Sequence, residues 1–270
     1  MTFYETIKVK GRWGFTGIVW MARFFVGTSG YNYRHWWNGV FYPRKLPQKG
    51  WLEFYSQFFD TVELNVSFYR LPNRKTFEGW YQRTPEHFLF SVKGSRFITH
   101  IKRLKDCQQP LEALFDHAQG LKEKLNVILW QLPPRFKLNI ERLKEFCSLL
   151  GDISTSNPVR QVFEFRDESW FCPEVYGLLE EHNYSLCLAH SSVLPYVERT
   201  TANFTYIRFH GVESLYGSNY SDGELRDWSK RIGGWLGEGL DVYSYFNNDA
   251  FGFAVKNAST LRKLLSAKYG

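Results

Sequence analysis

Cysteine is scarce in this 270-residue chain, which has only four, and their spacing forms no metal-binding or redox pair. Cys107, Cys147, Cys172 and Cys187 lie far apart, and the sequence contains no C-x-x-C. This spacing excludes a zinc knuckle and a dithiol redox centre of the usual kind. We therefore expect reduced thiols that pack in the protein interior.

Long apolar runs are also missing, and none approaches the roughly 20 residues of a membrane-spanning helix. The N-terminus lacks a long apolar segment followed by a small-residue cleavage site, so the sequence predicts a cytoplasmic protein with no membrane partner. Three glycines interrupt residues 1–20, and Met21 stands directly before an apolar run. We expect residues 1–20 to be an N-terminal appendage or a mis-assigned start, and residues 21–270, which contain no linker-like stretch, to form one domain.

Motifs that would identify a cofactor are absent as well. The first apolar run leads into Gly-Thr-Ser-Gly-Tyr at residues 27–31, which is not the G-x-G-x-x-G turn of dinucleotide-binding proteins. Neither H-x-H nor H-E-x-x-H occurs. The chain therefore carries no nucleotide cofactor motif, while a divalent metal stays open as a cofactor.

The composition that is present suits a large globular core with an anionic partner. Hydrophobic residues make up 44% of the chain and aromatic residues 19%, enough to bury a full core. The formal net charge of +7 favours phosphate esters, nucleic acid or acidic surfaces as partners. The positive residues are scattered along the sequence, so charge alone does not identify an activity.

Eight β-like runs alternate with segments that can form helices. Regular alternation of this kind implies parallel strands with helical crossovers, and eight units close a (β/α)8 barrel of the TIM type. An open doubly wound sheet is the alternative, but it would be expected to carry the Gly-rich turn that is missing here. The predicted strands are Arg23–Thr28, Thr61 onward, Phe88–Lys93, Asn126–Gln131, Gln161–Arg166, Tyr184–Ala189, Phe204–Phe209 and Asp241–Phe246.

The segment Thr61–Pro72 places two opposite chemistries on one strand. Read with a period of two, it directs Val62, Leu64 and Val66 to one side, and Thr61, Glu63 and Asn65 to the other. Parallel barrel strands are covered on both faces, so the polar side must point into the barrel. Several other strands repeat this alternation of apolar and polar residues near their ends. The repetition predicts a polar mouth at the C-terminal rim, where the active sites of barrel enzymes lie.

The predicted inward set mixes both charge signs. A structural network in which these charges neutralise each other is one interpretation, but buried ions lose several kcal/mol of hydration and apolar residues would stabilise a purely structural site better. A functional pocket is therefore the favoured interpretation. Besides Glu63 and Asn65, the set comprises Ser91, Lys93, Gln131, Glu164, Arg166, Arg208, His210, Asn247 and Asp249.

Seven motifs in order resemble those of the YecE-like family, catalogued as domain of unknown function 72. They are GTSGY (27–31), VELNVSFYRLP (62–72), FSVKGSRFITH (90–100), WQLPPRF (130–136), FEFRDESW (163–170), IRFHG (207–211) and YFNND (245–249). The resemblance spans about residues 23–260 and implies a TIM-type barrel, similar in shape to the xylose isomerase and endonuclease IV group, with no settled activity. Many relatives carry an Asp at the sixth strand, where this chain reads Ala189-His190-Ser191, so His190 is offered as a substitute.

The first functional hypothesis is a hydrolase or lyase that acts on a phosphate-bearing substrate, including nucleic acid. Lys93, Arg166 and Arg208 would hold the phosphate, and His210 and Glu164 would serve as general acid and base. Glu63 and Asp249 complete the candidate catalytic set. Further candidates for substrate binding are Asn65, Gln131, Asn247, Asn248, Tyr69, Ser29, Tyr31 and His190.

Two alternatives remain open from the sequence. A metal-dependent isomerase or hydrolase of a sugar-like substrate would use Glu63, Glu164, His210 and Asp249 as ligands, although three cations in the same mouth compete for the carboxylates. A non-catalytic nucleic-acid-binding protein would use the basic charge and the aromatic loop at residues 31–37, but it leaves the inward carboxylates unexplained.

Overall fold

Eight parallel strands form a single ring in the computed structural model, which describes residues 22–154, 158–212 and 216–270. The predicted appendage, residues 1–20, lies outside the described residues. Each strand pairs with its sequence neighbour, β1 pairs with β8, and a parallel bridge between Ser29 and Glu63 joins β1 to β2. The strands are β1 Phe24–Thr28, β2 Thr61–Leu64, β3 Leu89–Lys93, β4 Leu125–Gln131, β5 Arg160–Glu164, β6 Ser185–Ser191, β7 Phe204–Gly211 and β8 Asp241–Phe246. The predicted (β/α)8 barrel is thereby confirmed.

Helices follow seven of the eight strands and cover the outside of the ring. Ser221 and Glu224 form a capping box at the start of the helix Asp222–Gly237, where each side chain accepts a hydrogen bond from the other's backbone amide. The helices are α1 Trp51–Tyr55, α2 Val66–Tyr69, α3 Arg74–Gln82, α4 Gln108–Ala118, α5 Ile140–Ser154, α6 Pro173–Glu181, α7 Asp222–Gly237 and α8 Phe253–Tyr269. Within the described part of the chain, no helix is both long and apolar enough to cross a membrane.

The second strand is shorter than the sequence pattern indicated. It ends at Leu64, and Val66 begins the short helix α2 instead of continuing the strand. The hydroxyl of Ser67 donates to the carbonyl of Lys93, with a donor–acceptor distance of 2.7 Å, and also to that of Leu64, at 3.2 Å. These bonds fix the turn at the barrel rim, so a tertiary contact overrides the strand-like alternation.

Two other expectations from the sequence fail at connections. Glycine commonly ends a helix, so the sequence predicts a stop at Gly151, but α5 continues to Ser154, and Ile153 packs its side chain against the core. Between β6 and β7 the chain forms no helix, although every residue of that connection is described. There Thr201 accepts a hydrogen bond from the amide of Leu186 and donates one to the carbonyl of Tyr184, so a loop replaces the crossover helix.

Strand alternation divides the core into two parts. Inside the barrel, Phe25, Leu129, Tyr206 and Tyr243 belong to one buried cluster, while Ile207 and its neighbours pack against the helices in another. The inner cluster fills the N-terminal part of the barrel with apolar and aromatic side chains. Charged residues then occupy the C-terminal part, which positions the site described next.

Candidate active site

A buried ion network closes the barrel just below its C-terminal mouth. The Arg208 guanidinium donates to Glu63 through Nε and Nη2, at 2.9 and 2.7 Å, and to Glu164 through Nη1, at 2.6 Å. The side chains of both glutamates are fully inaccessible, and that of Arg208 is 1% exposed. Three strands therefore bring together three charges that lie up to 145 residues apart in the chain.

Two further side chains complete the network. The hydroxyl of Tyr206 donates to Glu63 Oε2 at 2.7 Å, and Arg166 forms an ion pair with Glu164 Oε1. Tyr206 precedes Arg208 by two residues on β7, so both point into the barrel. Two arginines thus balance two glutamates, and every carboxylate oxygen in the network has a donor.

The arginines keep both carboxylates ionised. Burial alone would raise the pKa of Glu164, but Arg166 and Arg208 hold that pKa well below its usual value. Burial likewise opposes ionisation of Glu63, and Arg208 lowers its pKa nonetheless. A carboxylate that stays ionised near neutral pH does not serve as a general acid. The geometry therefore favours a positioning role for both glutamates over the acid–base role suggested from the sequence.

His210 lies beside Glu164 and is fully buried. Its Nδ1 is 3.2 Å from the Asn247 amide nitrogen, which donates to it, so the ring proton of the neutral form is on Nε2. That Nε2 lies 3.6 Å from Glu164 Oε1 and finds no closer hydrogen-bond partner among the described residues. Burial lowers the pKa of His210 to about 4. His210 is therefore neutral at pH 7 and faces Glu164, away from the solvent.

A cleft of about 640 Å³ opens above the network and reaches the solvent. Its floor and walls come from loops and strand ends at the C-terminal face of the barrel. Seven of the residues proposed from the sequence line it: Tyr31, Asn65, Tyr69, Lys93, Arg208, Asn247 and Asp249.

Lys93 is the unpaired charge of this cleft. Its Nζ lies 4.1 Å from the centroid of the Phe68 ring, and it forms no ion pair or hydrogen bond with any side chain or backbone group that the structure describes. Burial, followed by the positive charge of Arg208, lowers the pKa of Lys93 to about 7. At neutral pH the amine is thus about half protonated, and it is 9% exposed.

Asp249 lies at the edge of the cleft and does not join the buried network. Its Oδ1 accepts from Trp36 Nε1 at 2.6 Å, and its Oδ2 is 3.0 Å from His35 Nε2. Burial raises the pKa of Asp249 to about 6, although His35 opposes that shift. Asp249 is therefore a carboxyl group that can exchange a proton close to neutral pH.

Three other candidates lie off the cleft surface. The side chain of Gln131 donates to the carbonyl of Leu132 at 3.3 Å, and Ser29, 1% exposed, has an Oγ with no partner among the described residues. The amide of Asn248 donates to Ser218 O and Asn257 Oδ1, at 2.9 and 2.8 Å, which ties β8 to helix α8. These contacts place Asn248 beneath the rim, where it supports the loop after β8.

The structure places His190 in the outer layer, not at the mouth. Its Nδ1 is 3.0 Å from the Tyr220 hydroxyl, and its ring packs edge-on against Trp228 of helix α7. The physical reason is strand alternation, because Cys187 points inward and so Ala189, not His190, shares that side. His190 therefore does not replace the Asp that the resemblance assigns to the sixth strand.

Two aromatic residues of the cleft, Trp80 and Tyr216, were not identified from the sequence. Tyr33, which belongs to the predicted aromatic loop, also lines the cleft. Trp80 comes from helix α3, where its sequence context reads as an ordinary amphipathic helix and gives no signal. Tyr206, by contrast, could have been identified, since it shares the inward side of β7 with Arg208.

The four metal-ligand candidates do not assemble into one donor set. Glu63 and Glu164 share their oxygens with arginines, and Asp249 is held by His35 and Trp36. Among residues 22–154, 158–212 and 216–270, no three His, Cys, Asp or Glu side chains lie together in a way that could hold a metal ion.

These features define a (β/α)8-barrel protein with an ionised site and an open cleft at the C-terminal mouth. The family described as "Protein of unknown function DUF72" matches residues 25–270. The chain belongs to this family, which confirms the resemblance drawn from its motifs.

Related proteins agree with this assignment. The UPF0759 protein YunF of Bacillus subtilis (strain 168) is 30% identical over 264 residues, which cover 84% of this chain and 91% of YunF. The crystal structure of a DUF72 family protein from Thermotoga maritima is 30% identical, with a TM-score of 0.78, and covers 90% of this chain and 99% of that one. A DUF72 protein from Enterococcus faecalis has 20% identity and a TM-score of 0.75, with 92% and 97% covered.

Proposed function

We propose that the protein is an enzyme, a hydrolase or lyase, that acts on a small anionic substrate in the cleft at the C-terminal mouth of its barrel. The observation that carries the proposal is Lys93, a cation with no carboxylate partner among the described residues, which faces the cleft. Lys93 adds one positive charge when protonated, because Arg166 and Arg208 already balance Glu63 and Glu164. An anionic group in the cleft would supply the missing partner.

The proton-transfer roles follow from the pKa values of the cleft residues. Lys93 and Asp249, with pKa values of about 7 and about 6, exchange protons near neutral pH. Glu164 and His210 do not, since the first stays ionised and the second stays neutral. We therefore assign the acid–base roles to Asp249 and Lys93 instead of Glu164 and His210, and we assign the buried Glu63 and Glu164 to positioning Arg208.

Sulfate is a suitable probe for the anion site because its charge does not change between pH 6 and pH 8. Isothermal titration should detect saturable binding that weakens about tenfold from pH 6 to pH 8, as Lys93 loses its proton. The Lys93→Met variant should lose this binding. Lys102→Met is a matched control, since Lys102 also stacks on a phenylalanine, Phe97, but is more exposed.

Binding that does not change with pH, or that survives in Lys93→Met, contradicts the proposal. The same three proteins should then be screened against phosphate esters and sugar phosphates by phosphate release and substrate loss. Turnover is expected in the wild type and in Lys102→Met only. Equal turnover in Lys93→Met would reject the assigned site.

A second candidate function is binding of single-stranded nucleic acid across the same face. Exposed aromatic side chains surround the mouth on the loops after β1, β2, β3 and β8, and Tyr69 and Phe251 are 80% and 83% exposed. Exposed arginines, Arg34, Arg70 and Arg96, accompany them. Aromatic faces and scattered positive charge suit stacked bases and phosphates. Because Arg166 and Arg208 balance Glu63 and Glu164, these inward carboxylates do not oppose the binding of phosphate.

Salt dependence separates the two candidates. Binding of a fluorescent single-stranded oligonucleotide should fall steeply with salt concentration if several phosphates contact the face. A steep slope together with no turnover of any small anion supports the binding protein. No oligonucleotide binding at low salt eliminates it.

A further inference from the structure

We propose that Lys93 acts as a covalent nucleophile, whose Nζ forms an imine with the carbonyl group of an aldehyde or ketone that also carries a phosphate or carboxylate. This inference rests on the function proposed above and narrows its substrate class. It assigns Lys93 a catalytic role beyond holding an anion.

The first support is the position of the amine. Lys93 is the last residue of β3 and projects inward at the floor of the cleft, next to Arg208. A carbonyl compound that enters the mouth therefore meets the amine at the closed end of the cleft. The neighbouring floor is rigid, because Arg208 is fixed by three hydrogen bonds to Glu63 and Glu164.

The second support is the lack of a direct polar partner for the lysine ammonium. The Phe68 ring is the one cation–π, hydrogen-bond or ion-pair partner of Nζ within the described residues, and a ring stabilises an ammonium much less than a carboxylate does. Glu164 and Glu63 favour the charged form of Lys93, but less than burial and Arg208 oppose it. Glu63 and Glu164 lie more than 4 Å away, beyond ion-pair distance, and direct their oxygens at arginines. Lysines are activated as nucleophiles by such desolvation and by a neighbouring cation.

Lys124 shows how the same chain holds a lysine that has a structural role. It is 3% exposed, more buried than Lys93, but its Nζ donates to Tyr81 O at 2.6 Å and to Thr84 O and Oγ1 at 2.7 and 3.2 Å. All three ammonium protons have an acceptor there. Lys93 has none, so its environment differs from that of a lysine kept for stability.

The chemical step balances without a further reactant. The neutral amine attacks the carbonyl carbon and forms a C–N bond as the C=O π bond breaks. The nitrogen then gives up its first proton and the alkoxide oxygen gains one, which gives a carbinolamine. That hydroxyl leaves as water, and the nitrogen loses its second hydrogen as a proton, so that a C=N bond replaces C=O. No electrons are gained or lost. An acid such as Asp249 can protonate the carbinolamine hydroxyl so that it leaves as water.

The test uses pyridoxal 5′-phosphate, an aldehyde that carries phosphate, with sodium borohydride to trap the imine. Peptide mapping by mass spectrometry should find the reduced adduct on Lys93, formed at least roughly tenfold faster than on exposed lysines, because neutral amine is more abundant there. Pyridoxal, which lacks the phosphate, should react more slowly. Lys124 is an internal control that should stay unmodified.

Two variants distinguish a nucleophile from an anion-binding cation. Lys93→Arg keeps the charge and should retain sulfate binding but form no adduct, whereas Lys102→Met should behave as the wild type in both assays. Absence of the adduct on Lys93, or labelling spread evenly over surface lysines, overturns the inference. If sulfate binding still depends on Lys93 in that case, the proposed anion site stands; if it does not, both proposals fail.

Discussion

The buried network and the cleft above it both contain acidic and basic side chains, but only the network joins all of them by hydrogen bonds and ion pairs. In the network, Arg208 is bonded to both Glu63 and Glu164, and each carboxylate oxygen has a donor. In the cleft, Lys93 has no polar partner among the described residues, and Asp249 has a pKa close to neutrality. The difference indicates that the network builds a fixed floor and that proton exchange belongs to the cleft. Breaking each part should therefore have a different result.

Replacing Arg208 with methionine should give the largest effect. Glu63 would lose its ion pair while buried, and Glu164 would keep only Arg166. Leaving a buried charge unpaired costs about 3–5 kcal/mol of unfolding free energy. Urea unfolding at pH 7 measures this change. Arg160→Met is the control, because Arg160 pairs with Asp241 at 2.7 Å at the other end of the barrel but is 30% exposed; about 1 kcal/mol or less is expected there.

The pH dependence of that loss provides a second check. The pKa values of Glu63 and Glu164 are lowered in the folded protein, so their contribution is present above the unfolded pKa of about 4.3 and is lost as the pH falls below it. Without Arg208 the contribution of Glu63 is lost, and that of Glu164 depends on Arg166 alone. The difference between wild type and Arg208→Met should therefore shrink below about pH 4, and a constant difference would mean that the network is not what Arg208 stabilises.

The two buried lysines should respond to methionine in opposite directions. Lys93→Met should raise the unfolding free energy by about 1–3 kcal/mol at pH 7, because it removes an unpaired charge that the fold disfavours. Lys124→Met should lower it by a similar amount, since Tyr81 O and Thr84 O lose their donor. Denaturant unfolding of both variants measures the contrast.

The pH dependence of stability gives a second test of Lys93. Its folded pKa, about 7, lies below the unfolded value of about 10.4, so the unfolded chain binds more protons between those values and stability rises with pH across that window. The Lys93→Met variant should lack this rise. If Lys93→Met is instead less stable at pH 7, Lys93 has a structural role.

Below the network, a hydroxyl triad should give a smaller effect. Tyr245 contacts Thr61 Oγ1 at 2.6 Å and Ser91 Oγ at 2.8 Å, all of them buried. Tyr245→Phe should cost about 1–2 kcal/mol of unfolding free energy because both hydroxyls lose a partner. Sulfate binding should stay unchanged, since Tyr245 does not line the cleft. Loss of that binding would show that the hydroxyl triad beneath the ion network also helps to form the anion site in the cleft.

Strand periodicity explains how much of this architecture could be predicted. It located all eight strands, β8 to the residue at both ends, and placed Glu63, Glu164 and Arg208 on the inward side. The same rule, applied from Cys187, would have placed His190 outward. Which donor meets which acceptor depends on barrel closure and side-chain reach, so the sequence did not indicate that Arg208 would engage both carboxylates.

The end of β2 and the walls of the cleft depend on still longer-range contacts. The turn after Leu64 is held by the Ser67 hydroxyl on the carbonyl of Lys93, a residue of the next strand. Trp80 reaches the cleft from a helix that the sequence marks only as amphipathic. Local patterns contain no information on such contacts, which is why the sequence predicted the polar mouth and the aromatic loop but not Trp80.

Asp249→Asn should have the smallest effect on stability and a specific one on chemistry. The asparagine Oδ1 can still accept from Trp36 Nε1, and the exchange removes only a pair with the half-exposed His35, so the unfolding free energy should change by less than about 1 kcal/mol. With Asp249 as the acid, two pH effects act on the rate at which the Lys93 imine is trapped. The rate should rise with pH as the amine deprotonates near pH 7, and the part of the rate that needs protonated Asp249 should be lost above about pH 6. In Asp249→Asn only the rise should remain. An unchanged profile would leave Lys93 as the reactive group and would assign the proton donor to another side chain of the cleft.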